Sequence, residues 1–138
     1  VVGAFAGSGL FLNQTCRMTE SEQCPLSSLS RGEPTLIFPG GNTRCIFGSE
    51  FAFQVWPGDT DKLAIFLEGG GACWDDVTTV FQALCKSFIF PSDLMGLFNR
   101  CPGDTNPFTD HTVVFVQACS GDLHSGNVKR SWENPQGD

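Results

Sequence analysis

The chain has 138 residues, 41% of them hydrophobic and 17% charged, with a formal net charge of −7. That length holds one modest domain with a real core, and the composition excludes a disordered chain. The eight Lys and Arg are scattered, so no phosphate-tracking groove and no nucleic-acid partner is expected. No apolar run reaches the length of a membrane span.

The first nine residues, Val1-Val2-Gly3-Ala4-Phe5-Ala6-Gly7-Ser8-Gly9, are small or apolar and carry no charge. Two readings fit them equally, the tail of a signal peptide or a strand-like, frayed terminus. The chain does not begin with methionine, and it is expected to be part of something longer. Asn13-Gln14-Thr15 matches the N-glycosylation acceptor pattern. Residues 13–35 are polar and predict a loop that a Cys16–Cys24 bridge would tie. Seven cysteines with no Cys-x-x-Cys pair argue against zinc and redox motifs and for disulfides formed in an oxidising compartment. Their odd number leaves one thiol over, or one partner outside the chain.

From Gly48 the pattern tightens. Glu50–Trp56 is partly alternating and aromatic-rich and predicts a strand. Pro57-Gly58-Asp59-Thr60-Asp61 reads as a turn, and Lys62–Leu67 as a second strand, antiparallel to the first across the short link. The apolar run Leu63–Leu67 suits a strand buried on both faces. Glu68 and three glycines, Gly69-Gly70-Gly71, follow it, and then Asp75–Ser87 predicts a helix. Asp75 or Asp76 would cap that helix, with Val77, Val80, Phe81, Leu84 and Phe88 at helical spacing. Pro91 ends it. Residues 92–109 predict a loop with one helical turn around Leu94–Phe98. Thr112–Val116 is the clearest strand, β-branched and apolar. Two such strands with a helix between them predict a βαβ unit and a parallel pair. A second glycine-containing segment, Cys119–Gly126, follows, and a polar tail from Lys129 closes the chain.

Three adjacent glycines between strand and helix serve either a turn where no Cβ fits or a close approach to the backbone N–H groups. The dinucleotide loop needs Gly-x-Gly-x-x-Gly, and its sixth position here is Trp74. The oxyanion hole of α/β-hydrolases remains, where a Gly-rich turn after a central strand aims N–H groups at a tetrahedral intermediate. A tight turn packed for its own sake is the competing explanation.

Leu67-Glu68-Gly69-Gly70-Gly71-Ala72-Cys73-Trp74, with Asn106-Pro107-Phe108 and Cys119-Ser120-Gly121-Asp122-Leu123-His124-Ser125-Gly126, resembles the pectin acetylesterase family over about residues 44–128. The resemblance implies an α/β fold, in part an α/β-hydrolase-like three-layer domain in which the antiparallel pair leads into the parallel βαβ unit. Residues 1–43 would then be an N-terminal extension and 44–138 the N-terminal part of a catalytic domain. It further implies a secreted serine carboxylesterase acting on O-acetyl or other O-acyl esters of a glycan, needing no cofactor and no metal, and monomeric when complete. Oxyanion donors would be the backbone N–H groups of Gly70 and Gly71, with Gly69, Trp74, Asp122 and His124 lining the substrate site. Implied disulfides are Cys45–Cys119 and Cys73–Cys85, leaving Cys101 unpaired once Cys16 and Cys24 are joined. Two features depart from the family. Where Pro-Tyr-Cys is common, this chain has Gln117-Ala118-Cys119, and no Gly-x-Ser-x-Gly nucleophile segment occurs. The triad serine, acid and histidine are therefore expected outside the 138 residues, and the chain alone is expected to be inactive and poorly soluble. Of its two histidines, His111 is expected at a strand edge. His124 is expected to line the site rather than act as a base, since Ser120, Asp122 and Ser125 lie too close in sequence for a triad. Glu68 is expected to accept hydrogen bonds or pair with a cation. A binding module for acylated glycans and a disulfide-tied structural fragment are the alternatives.

Overall fold

A computed structural model describes residues 14–80, 85–92, 94, 96–99 and 105–127. Among these residues five strands form, β1 (Gln14–Arg17), β2 (Thr35–Phe38), β3 (Phe53–Trp56), β4 (Asp59–Leu67) and β5 (His111–Val116), with one short helix, α1 (Asp76–Val80). They form one mixed sheet in the order β1-β2-β3-β5-β4. β1 and β2 are parallel, β3 is antiparallel to both β2 and β5, and β4 is parallel to β5. This is a small α/β-type arrangement with little helix.

The expected parallel pair is β4 with β5, in register from Leu63 opposite Thr112 to Leu67 opposite Val116. The expected pairing of β3 with β4 does not form. The two strands run in opposite directions, but β5 lies between them. The link explains why. Pro57 fixes φ near the value of ordinary type I or II turns, whose twist splays hairpin strands apart. Gly58 then passes under the entry to β5, where a Cβ would lie 2.3 Å from the His111 carbonyl carbon. Its N–H donates to Thr112 Oγ1 at 3.0 Å, and the Asp59 N–H donates to the Asp110 carbonyl at 2.7 Å. Residues 13–35 also hold more than a loop. β1 and the start of β2 join the same sheet, and a 3-10 turn at Leu26–Ser28 lies between them.

All three disulfides form as expected, with Cα separations of 6.1 Å for Cys16–Cys24, 4.9 Å for Cys45–Cys119 and 5.8 Å for Cys73–Cys85. Such bridges are typical of chains that fold in an oxidising environment. Cys101 and Asn13 lie outside the described residues, as do the first nine residues, Phe81, Leu84 and the tail from Lys129.

One core cluster sits on one face of the sheet. Trp56, Ala64, Val113 and Phe115 are buried there with Leu94, and Phe66, Phe98 and Phe108 pack against them. Phe66 stacks between Phe98 at 5.1 Å and Phe115 at 5.2 Å, centroid to centroid. The expected turn near Leu94–Phe98 appears as a 3-10 turn at Gly96–Phe98. Asn106 Oδ1 accepts the Phe108 N–H at 2.7 Å, so Asn106-Pro107-Phe108 is a turn that seats an aromatic in the core. On the opposite face Leu63, Ile65 and Leu67 of the edge strand β4 are 61%, 60% and 54% exposed. Burial on both faces and a three-layer packing were expected for this strand. Among the described residues no helix covers this face.

Within the helix expected over Asp75–Ser87, the described helical residues are those of α1, Asp76–Val80, while the described residues 85–87 are not helical. Asp75 caps α1, its Oδ1 accepting the Thr78 N–H at 2.7 Å. Cys85 instead forms an isolated bridge with Gly71, and the Lys86 N–H donates to the Gly70 carbonyl at 2.9 Å. That pairing, with the Cys73–Cys85 bond, takes residues 85–87 out of helical geometry, and Phe88 is exposed. Gln54 and Gln117, each 1% exposed, hold the segment beyond. The Gln117 Nε2 donates to the Phe90 carbonyl at 2.8 Å, and the Ser92 N–H donates to Gln54 Oε1 at 3.0 Å.

Candidate functional site

Because β4 and β5 are parallel, the segments leaving their C-terminal ends emerge at one edge, where α/β sheets receive ligands. From β4 come Glu68 and the three glycines. From β5 come Gln117–Cys119 and the segment Ser120–Gly126. His111 begins β5 and so lies at the opposite end, edge-on to Phe108.

The two segments are joined along their length. The Glu68 N–H donates to the Val116 carbonyl at 2.9 Å, and the Cys73 N–H to the Gly121 carbonyl at 2.9 Å. Ala72 bridges to Asp122. The Cys45–Cys119 bond and the Ile46 N–H on the Cys119 carbonyl, at 2.9 Å, hold β5's exit from the other side.

Each glycine of the triplet has a different environment. A Cβ on Gly69 would meet nothing within 4 Å. A Cβ on Gly70 would lie 2.5 Å from Ala118 Cβ and 2.8 Å from the Ala118 carbonyl oxygen. Gly71 has φ +77°, which disfavours any L side chain. The expectation that Gly70 faces an open cleft therefore fails on its Cα side, which packs on Ala118. The open space is at Gly69. Among the described residues nothing accepts a hydrogen bond from the N–H groups of Gly69, Gly70 or Gly71. Three consecutive backbone donors thus have no acceptor among the described residues.

Glu68 meets its cation. Its Oε2 lies 2.6 Å from Lys86 Nζ in a half-buried ion pair, which ties the start of the glycine segment to the chain leaving the Cys73–Cys85 loop. His124 reaches across from the other segment, its Nε2 2.8 Å from the Glu68 carbonyl oxygen. The ring is otherwise exposed. Leu123 and His124 both have left-handed backbones, at φ +56° and +61°.

Asp122 holds that conformation. Its Oδ1 accepts the Ser120 hydroxyl and, at 3.0 Å, the His124 N–H, while Oδ2 accepts the Gly126 N–H at 3.0 Å. Burial pushes the Asp122 carboxyl upward, but the Ser120 hydroxyl and the two backbone N–H groups together outweigh it and hold the group below the usual carboxylate range. Both oxygens are engaged inside the segment, so Asp122 organises the site edge. Ser120 donates to Asp122 and His124 contacts a backbone carbonyl, so no serine–histidine hydrogen bond of a nucleophile and its base is present here. Trp74 is exposed on the glycine side, its N–H donating to Thr78 Oγ1 at 3.1 Å.

Lys86 and Ala118 carry no motif in the sequence and are found only through contacts across 16 and more residues. Among the described residues no group of three His, Cys, Asp or Glu is placed to hold a metal ion, and no helix is long and apolar enough to cross a membrane. A scan against protein-family models and a search of curated proteins find no match to this chain.

Proposed function

We propose that this chain supplies the oxyanion-receiving loop of a secreted carboxylic ester hydrolase of the pectin acetylesterase kind, acting on O-acyl esters of a glycan. The observation that carries the reading is the run of N–H groups at Gly69, Gly70 and Gly71 that no described residue accepts from, at the C-terminal edge of a parallel strand pair. The loop after a strand and before the first helix is the place from which α/β-hydrolases offer one oxyanion donor. Fixed backbone dipoles aimed at a developing negative charge stabilise it without reorganising, which is the larger part of acyl-transfer catalysis. Gly69 leaves room for an acyl oxygen, Gly71 takes the left-handed turn, and Gly70 lets the segment lie against Ala118. Trp74 offers an exposed aromatic face to a sugar ring, and His124 borders the same edge.

The absence of Gly-x-Ser-x-Gly from the sequence favours recognition without turnover by these 138 residues alone, with the nucleophile and the second oxyanion donor supplied from outside them. Binding of an acetylated galacturonide oligosaccharide is the direct test. The acetylated form is expected to bind more tightly than the same oligosaccharide after saponification, and Trp74→Ala to weaken both. Equal binding of the two forms, or none, would sink the ester reading.

A further inference from the structure

The Glu68 carbonyl and the Gly69 N–H belong to one peptide group, and the Gly70 carbonyl and the Gly71 N–H to another. In a planar trans peptide these two bonds point in opposite directions, and no cis bond occurs among the described residues. Both carbonyls are held from behind. Glu68's meets His124 Nε2 at 2.8 Å, and Gly70's accepts the Lys86 N–H at 2.9 Å. The N–H groups of Gly69 and Gly71 therefore point away from those two anchors, in fixed directions.

One anchor is backbone and the other is a side chain. A carbonyl oxygen only accepts, so the His124 nitrogen facing it must carry the hydrogen. We propose that His124 is a positioning residue: protonated at Nε2, it donates to the Glu68 carbonyl and thereby sets the direction of the Gly69 N–H. The proposal rests on the reading of the glycine triplet as the anion-receiving loop. Three features of the site converge on it. The histidine backbone is in a conformation L residues rarely adopt, and Asp122 holds it there through the His124 and Gly126 N–H groups. Gly69 has open space where a Cβ would be, so no packing of its own fixes its peptide plane. The adjacent carboxylate of Glu68 is already engaged by Lys86, which leaves the Glu68 carbonyl as the histidine's partner.

Nuclear magnetic resonance on the nitrogen-15-labelled oxidised chain tests this without turnover. Long-range imidazole correlations should show Nε2 carrying the hydrogen of the neutral ring and Nδ1 bare. His124→Leu should move the Gly69 amide resonance more than those of Gly70 and Gly71. His124→Gln, whose side-chain amide offers a donor at a similar reach, should return Gly69 toward its wild-type position. A neutral ring protonated at Nδ1, or Leu and Gln variants that displace Gly69 equally, would overturn the proposal. If the Leu variant does not fold, the wild-type tautomer decides. Titration of the wild type with methylphosphonate separates the two claims. An unresponsive Gly69, alongside the expected tautomer and Gln rescue, defeats the anion-receiving reading and leaves the histidine anchor standing.

Discussion

Alanine placed in turn at Gly69, Gly70 and Gly71 should give three different stabilities, because the three residues are glycine for three different reasons. At Gly69 the new methyl enters open space, and the less flexible unfolded chain should leave the protein unchanged or more stable by about 0.4–1 kcal/mol. At Gly71 the left-handed φ of +77° costs an L residue roughly 1–2 kcal/mol, partly offset by the same unfolded-state gain. At Gly70 the methyl would sit 2.5 Å from Ala118 Cβ and 2.8 Å from its carbonyl oxygen. Ordinary contact begins about an ångström farther out, and the opposing atoms are the backbone and β-carbon of a chain held by the Cys45–Cys119 bond, so rotation cannot relieve it. Overpacking of that kind costs about 1–3 kcal/mol, and the upper end applies here. Urea unfolding under non-reducing conditions reads the order. With a slope of about 2 kcal/mol/M, Gly70→Ala should unfold roughly 1.5 M urea earlier than wild type at unchanged slope. A Gly70→Ala variant as stable as wild type, or Gly69→Ala as the weakest of the three, would refute the packing assigned to the triplet.

Replacing Cys73 and Cys85 by serine should cost about 3 kcal/mol by loop entropy for a 12-residue separation, seen as an earlier thermal transition; an unchanged transition would show that the bridge does not restrain the glycine loop. Asp122 sets a pH dependence. Its folded-state acidity lies below the unfolded value, so its contribution is complete above the ordinary carboxylate range near pH 4 and is lost as pH falls through the depressed folded value. Asp122→Asn should flatten that acid limb of the stability profile, and an identical profile would remove Asp122 as its source. The chain by itself should hydrolyse an activated acetate ester no faster than a denatured control. Hydrolysis that His124→Ala abolishes would place a catalytic base inside these residues instead.

Local chemistry made much of this legible. The β-branched run at Thr112–Val116 and the apolar run at Leu63–Leu67 define strands, and their parallel pairing follows from the connection between them. Asp75 caps α1 because a carboxylate three residues before Thr78 reaches its N–H. Glu68 finds a cation, as a carboxylate beside an apolar strand requires. What stayed hidden was set at long range. β5 enters between β3 and β4, where Gly58 passes so close beneath residues 110 and 111 that no Cβ would fit. Helical spacing past Val80 carries no sign that Cys85 will pair with Gly71. β1 reads as polar loop because only its pairing with β2, 21 residues downstream from Gln14 to Thr35, makes it a strand. At the site, the glycines and His124 were visible as residue types. Their partners Lys86 and Ala118 were not, since neither occupies a position that spacing or composition marks.

The most direct measurement of the central claim follows the glycine amides of the nitrogen-15-labelled chain as methylphosphonate, a tetrahedral oxyanion, is added. Saturable shifts confined to Gly69, Gly70, Gly71 and their neighbours, with Gly32, Gly41 and Gly48 unmoved, are what an anion-receiving loop requires. Glycine amides that all stay still, or all drift together without saturating, would contradict it.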